Sequence, residues 1–439
     1  MTIPFVIVGA NIVTGDRAGT VLADRTVLVD GTGSIAAVGS RAEVAIPSGH
    51  RRIDAAGRYL TPGLINAHAH LFSDGKPLPA FMTSEAMESA VAWFLHGPLG
   101  RPLLDTRTKK NVLTQLNSGV TTIRSLGDAR YEVVRARNAI EAGKYLGPRL
   151  FPSGPLLAVS GGHGAPQISL ISDSPWDGRK NVRINLRKGV TAIKIAATGG
   201  VTDARAIGEA GRPQMTEAEM TAICEEAHNA GILVAAHAQS AEGIADCLRA
   251  GVDTIEHGAG MTDEIVALFK DNPRSLRGHS TLIPTLQACL PLVRLDRRIT
   301  GINEIVQANA EMILDEMLAG IRDALANDIE IGMGTDSALT YVTHYNTWRE
   351  LDLLSRHGGM SPAHALHAAT QVNAKVLGIA DITGSVDVGK AADLVLLDAN
   401  PLEGFRAYDA PVLVCARGEL IENPTVTRFA QIDRLLDRL

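Results

Sequence analysis

Cysteine is scarce in this 439-residue chain: Cys224, Cys247, Cys289 and Cys415 are its four, and no two form a CxxC pair. That spacing excludes a disulfide framework and a thiolate metal cluster, and isolated buried thiols in a reducing cytoplasm are the expectation. Positive charge is not in excess either. Lysine and arginine number 42 against 48 acidic residues, a formal charge of −6, so nucleic acid is not an expected partner. No apolar run is long enough to span a bilayer. The segment 1-MTIPFVIVGANIVTG-15 is apolar, but it is interrupted and lacks the basic start of a signal peptide, so it reads as a strand. Long linkers, repeats and low-complexity tracts are also missing. A large soluble core and a small-molecule partner are what these absences leave.

What the chain does have is alternation. Up to about residue 60, β-rich runs such as 26-TVLVD-30 and 35-IAAVG-39 flank the turn 30-DGTG-33. The same texture returns in 386-VDVGKAADLVLLDANP-401 and 411-PVLVCARGEL-420. Between them, short apolar runs alternate with helical patterns: 62-PGLINAH-68, 120-VTTIRSL-126, 149-RLFPS-153, 190-VTAIKIA-196, 232-ILVAAHA-238, 252-VDTIEHG-258, 281-TLIPTL-286 and 329-IEIGMGTD-336. Eight such β/α repeats predict an α/β fold, a TIM (β/α)8 barrel of residues 61–380. The chain ends are expected to form one small β-sandwich from residues 1–60 and 381–425, followed by a C-terminal helix over 426–439. Helix starts are marked by Thr216 with Glu219 three residues on, a capping box, and by Ser361-Pro362.

Chemistry-bearing residues gather where these runs end. His68 and His70 in 64-LINAHAHLF-72 stand one residue apart, so on an extended segment both imidazoles share a face. Lys194, His237, His257 and Asp336 fall in or after the fourth, fifth, sixth and eighth runs. In a barrel all six meet at one mouth, where active sites lie. Taken singly, His237 or His257 fits an ordinary interior histidine, Asp336 a loop cap and Lys194 a snorkelling side chain; it is their convergence that argues for a metal. An ammonium has no lone pair for a cation. Carbon dioxide added to the deprotonated amine would give a carbamate whose two oxygens can bridge two ions.

The set HAH at 68–70, Lys194 in 193-IKIAATGG-200, His237 in 235-AAHAQ-239, His257 in 255-IEHG-258 and Asp336 in 334-GTDS-337 resembles the amidohydrolase superfamily in its binuclear, carboxylated-lysine form. The likeness runs over essentially the whole chain. The segments 62-PGLINAHAH-70 and 392-ADLVLLD-398 are similar to those of the branch with Xaa-Pro dipeptidases, lysine and arginine carboxypeptidases and ochratoxin-hydrolysing enzymes. The resemblance implies that His68, His70 and Asp336 hold one divalent ion and His237 and His257 another, zinc in both cases, with carboxylated Lys194 bridging. It also implies a metal-bridging hydroxide as nucleophile and Asp336 as general base, then acid, in hydrolysis of a C–N amide bond in dipeptides or N-acyl amino acids. Superfamily members often associate, so a homo-oligomer is expected.

Residues outside the ligand set are less determinate. His163 in 160-SGGHGAP-166 resembles the branch's substrate-binding histidine and is the second catalytic candidate; a solvent-exposed loop histidine is the alternative. Gln239 stands where the branch commonly has tyrosine, and as a substrate contact it has an amide in place of a phenol. Arg205 and Arg212 in 199-GGVTDARAIGEAGRPQ-214 could clamp a substrate carboxylate or simply be solvated. Trp93, Phe94 and His96 could line an apolar pocket or be core. His228, His357, His364 and His367 fall on expected helices without a role. Two further activities stay open: hydrolysis of neutral carbamates, aryl ureas or other xenobiotic amides at the same site, and a mononuclear, imidazolonepropionase-like aminohydrolase, against which Lys194 argues. A non-catalytic scaffold should have lost ligands, and this chain retains them all.

Overall fold

A computed structural model of the chain describes residues 2–77, 97, 100–165 and 167–439. Seven of the eight expected runs are parallel strands: Leu64–Ala69, Val120–Ser125, Arg149–Pro152, Ala192–Ala196, Leu233–Ala238, Thr254–His257 and Thr281–Ile283. They lie in two sheets, a three-stranded one of the first three and a six-stranded one that contains the remaining four. The third run is broken, and its continuation Leu156–Ala158 pairs with the strand of Lys194.

The eighth run, expected over 329–336, is not a continuous strand. Only Ile331 bridges Leu282 and Ser337 bridges Ala69. The cause is a contact with distant chain: the His68 carbonyl accepts from both Thr335 N (3.0 Å) and Asp336 N (2.9 Å), so the chain turns there instead of staying extended. Backbone hydrogen bonds nonetheless join the margins of both sheets. Thr191 N donates to Pro152 O at 2.8 Å, Gly332 N to Leu282 O at 2.9 Å and Ala67 N to Met333 O at 3.1 Å.

Side-chain parity explains how these strands bury two faces at once. Ile193, Ile195, Val234, Ala236 and Ile255 enter the main apolar core, which also takes Ile223, Ile244 and Leu248 from neighbouring helices. Their neighbours Ala192 and Ala235 form a separate small cluster with Leu126. Lys194 and His237 share the parity of these alanines and so face away from the main core.

Helix Glu217–His228 begins with the expected capping box, Thr216 accepting from Glu219 N and Glu219 reaching back. Ser361 caps Pro362–His367 by accepting from His364 N. His228 ends the first of these helices, His357 follows Thr347–Arg356, and His364 and His367 lie in the last. All four cysteines are buried and free. No described helix is long and apolar enough to cross a membrane.

The chain ends share one eight-stranded sheet in which Tyr59–Pro62 pairs antiparallel with Leu394–Leu397. Leu394 and Leu396 pack into the sheet's own core with Phe5, Ile7 and Val29, while Val395 and Leu397 reach the main core. A short helix, Ala430–Leu436, follows and seats Ile432 and Leu436 on Leu295 and Tyr341.

Candidate active site

The six expected residues come together, the four histidines at the C-terminal ends of three parallel strands, Lys194 within Ala192–Ala196 and Asp336 at the end of the eighth run, and all are buried. His68 and His70 direct Nε2 at the same oxygen, Asp336 Oδ1, at 3.3 and 3.0 Å. The rings of His68 and His257 are 5.2 Å apart and those of His237 and His257 4.6 Å. His68, His257 and Asp336 offer ligand atoms within 4.8 Å of one another, a candidate metal site. That group crosses the two ion sites the resemblance implied, so the two lie close together.

His257 and Asp336 reach the site by backbone distortion. Thr254 and Glu256 point to one side of their strand, so alternation alone would turn His257 to the other. Its φ is 73°, and that of Asp336 is 55°. Left-handed geometry at non-glycine residues costs roughly 1–3 kcal/mol and concentrates at functional sites.

Three of the four imidazoles have one nitrogen occupied by a hydrogen bond outside the cluster. His70 Nδ1 lies 3.0 Å from the Gly127 carbonyl oxygen and His257 Nδ1 2.7 Å from Thr285 Oγ1, which leaves Nε2 of both rings facing the cluster, that of His70 against Asp336. His237 is reversed, with Nε2 3.3 Å from the Gly199 carbonyl oxygen, which leaves Nδ1. Such outer contacts set the tautomer and aim the ligating lone pair. Burial pushes His237 and His257 well below the ordinary imidazole range, so both are neutral. Burial alone would raise the Asp336 carboxyl, yet His68 and His70 hold it well below the usual carboxylate range. Lys194 Nζ is buried with no hydrogen-bond partner, and burial lowers its pKa to about 8. A neutral-imidazole, carboxylate and unpartnered-amine set fits divalent cations.

Two charged residues of the apolar runs, Arg124 and Glu256, join the site although periodicity gives them no role. Arg124 is fully buried; its Nη2 lies 2.8 Å from Glu256 Oε1 and its Nε donates to the Ala67 carbonyl at 2.6 Å. Glu256 Oε2 is 2.8 Å from His68 Nδ1, a close contact too bent for a straight hydrogen bond. Burial would raise Glu256, but Arg124 and His68 hold it below its ordinary range. The signal was present: a charge at an inward position of an apolar strand.

The less determinate residues divide. His163 stacks on His237 with ring centres 4.2 Å apart, and its side chain is 24% exposed. Its Nδ1 is 2.8 Å from Asp203 Oδ2. Burial opposes protonation of His163, but Asp203 raises its pKa overall, and His163 in turn helps to bring Asp203 down to about 2 against burial. Gln239 is buried with Oε1 unpartnered. Arg205 and Arg212 are exposed; their backbones are engaged, Arg205 N by Glu209 and Arg212 O by Gly199 N, but their side chains form no ion pair among the described residues. Trp93, Phe94 and His96 lie outside the described residues.

Several known proteins resemble this chain in sequence and fold. The crystal structure of a candidate prolidase from Bifidobacterium longum superposes with a TM-score of 0.88 and 48% identity, covering 100% of this chain and 99% of that one. A Xaa-Pro dipeptidase with bound methionine in its active site gives a TM-score of 0.81 at 26% identity, covering 95% and 100%. Ochratoxinase from Aspergillus niger is 25% identical over 395 residues, 84% of this chain and 76% of that protein. Residues 59–426 match the amidohydrolase family. The chain therefore belongs to the amidohydrolase family and is a hydrolytic enzyme acting on C–N bonds.

Proposed function

We propose that this enzyme hydrolyses the amide bond of dipeptides or N-acyl amino acids at a two-cation centre. In this reading the eight linked parallel segments are a closed (β/α)8 barrel of residues 61–380, with a β-sandwich from 1–60 and 381–425 and a terminal helix over 426–439. The observation that carries the centre is Lys194 Nζ, buried without a partner. An unpaired buried ammonium is costly. With its pKa near 8, part of the population is free amine at neutral pH, able to add carbon dioxide and become an anion. His68, His70 and Asp336 would hold one ion, His237 and His257 the other, and the Lys194 carbamate both. Bound there, divalent cations, zinc by preference, polarise the substrate carbonyl and acidify water.

The remaining steps belong to the side chains. Asp336 is ionised, takes a proton from the attacking water and hands it to the leaving nitrogen as the C–N bond breaks. His163 meets a polar group of the substrate from above His237. The unpartnered Oε1 of Gln239 favours a second reading: the N–H of a neutral carbamate, aryl urea or other amide could donate to it, where the branch's tyrosine is missing.

Zinc loading under bicarbonate, metal counting and a panel of dipeptides, N-acyl amino acids, aryl ureas and carbamates test the proposal, with Asp336→Asn as blank. Two ions per chain and cleavage confined to carboxylate-bearing compounds are expected. Cleavage of neutral ureas or carbamates selects the second reading. One ion with an unmodified Lys194 overturns the binuclear centre.

A further inference from the structure

We propose that Asp203 is a positioning residue for His163, fixing the imidazole over His237 with Nε2 turned to the substrate. Asp203 Oδ2 and Oδ1 lie 2.8 and 3.1 Å from His163 Nδ1, and Oδ2 also accepts from Gly164 N at 3.2 Å. Both carboxylate oxygens on one ring nitrogen select the Nδ1–H tautomer and leave Nε2 as the reactive edge. Nε2 has no hydrogen-bond partner among the described residues.

Two more contacts fasten the same loop. Gln214 Oε1 accepts from His163 N at 2.9 Å, so the segment after the third strand is clasped to the 199–214 segment at both ends. Gly200 supplies the space: a Cβ there would stand 2.2 Å from His163 Nδ1 and 2.9 Å from Asp203 Oδ1. Arg205 and Arg212, from the same segment, make no side-chain hydrogen bond with the loop among the described residues, whereas Asp203 and Gln214 both engage it.

The role assumes that substrate binds at the mouth cluster, as the proposed hydrolysis requires, so one arm of the test needs no turnover. In zinc-loaded enzyme, a downfield His163 Nδ1–H proton resonance, assigned by its loss in His163→Ala, should vanish in Asp203→Ala; its persistence there overturns the contact. In the kinetic arm, Asp203→Ala should lower kcat/KM about 10- to 100-fold with metal content unchanged. In a His163→Ala background the same change should add less than about twofold, because a residue acting through another has nothing left to act on. Additive losses, or full activity of Asp203→Ala, overturn the proposal. Asp203→Glu should recover part of the loss, and Gly200→Ala should reproduce it by displacing the ring. If no compound on the panel is hydrolysed, the hydrolytic reading fails while the resonance still decides the contact.

Discussion

Glu256 and His257 are neighbours in the chain and equally hidden from water, yet they belong to opposite kinds of polar interior. Glu256 meets Arg124, Thr254 and His68 within 2.8 Å, a network whose charges compensate one another. His257 belongs to a cluster in which Lys194 Nζ has no hydrogen-bond partner and two residues hold left-handed backbone. Buried polar groups are normally satisfied. The closed network thus reads as support, and the open one as a site completed by what it binds.

Turnover should break that comparison most sharply. Asp336→Asn keeps the shape of the site and removes the proton acceptor, so kcat should fall roughly 10²- to 10⁴-fold while circular dichroism stays that of the parent. Full activity would remove Asp336 from the mechanism. Lys194→Ala should lose bound metal as well as activity, with partial rescue by a short carboxylic acid.

The closed network should respond through stability. Glu256→Gln leaves the Arg124 guanidinium buried without its counter-charge, a loss of about 3–5 kcal/mol. Arg124→Met together with Glu256→Leu should recover much of it, since neither charge is then left alone. Thermal melting of the three proteins decides. Equal melting temperatures would mean that the pair adds nothing.

A third buried acid sharpens the contrast through pH. Glu350 accepts from Leu286 N and Gln287 N, just after the Thr285 hydroxyl that meets His257, and burial raises its pKa to about 8. Between pH 4.5 and 8 the folded protein keeps a proton that the unfolded chain, with its ordinary value of 4.5, has released. Stability therefore falls as pH rises through that window. The melting temperature of the parent relative to Glu350→Gln should decline from pH 4.5 to 8. A constant difference would mean that Glu350 is ionised throughout.

The sequence made the periodic features legible. Apolar alternation located seven parallel strands because those strands bury one face in the main core, and Thr216 and Ser361 marked helix starts because capping is local chemistry. The HAH spacing announced a shared target, and both rings do face Asp336 Oδ1. What stayed hidden depends on distant chain. Glu256 looked like part of an ordinary strand until Arg124, 132 residues away, was brought beside it. Asp203 gained meaning only when the His163 loop folded onto it. The eighth run reads as continuous because nothing in its own sequence reveals that the His68 carbonyl takes two donors from it.

The smallest effects belong to the rim. Arg205 and Arg212 hold their segment through backbone contacts and leave their side chains in solvent, where charge is screened within about 8 Å at physiological salt. Substituting either by alanine should change kcat/KM for a carboxylate-bearing substrate less than about threefold, under about 0.7 kcal/mol, and this residue should fade as salt is raised. A loss above about tenfold that persists in high salt would mean that one arginine swings inward onto the substrate. The boundary of the site would then lie beyond the His163 loop, and exposure would be a poor guide to which polar groups at this mouth are waiting for a partner.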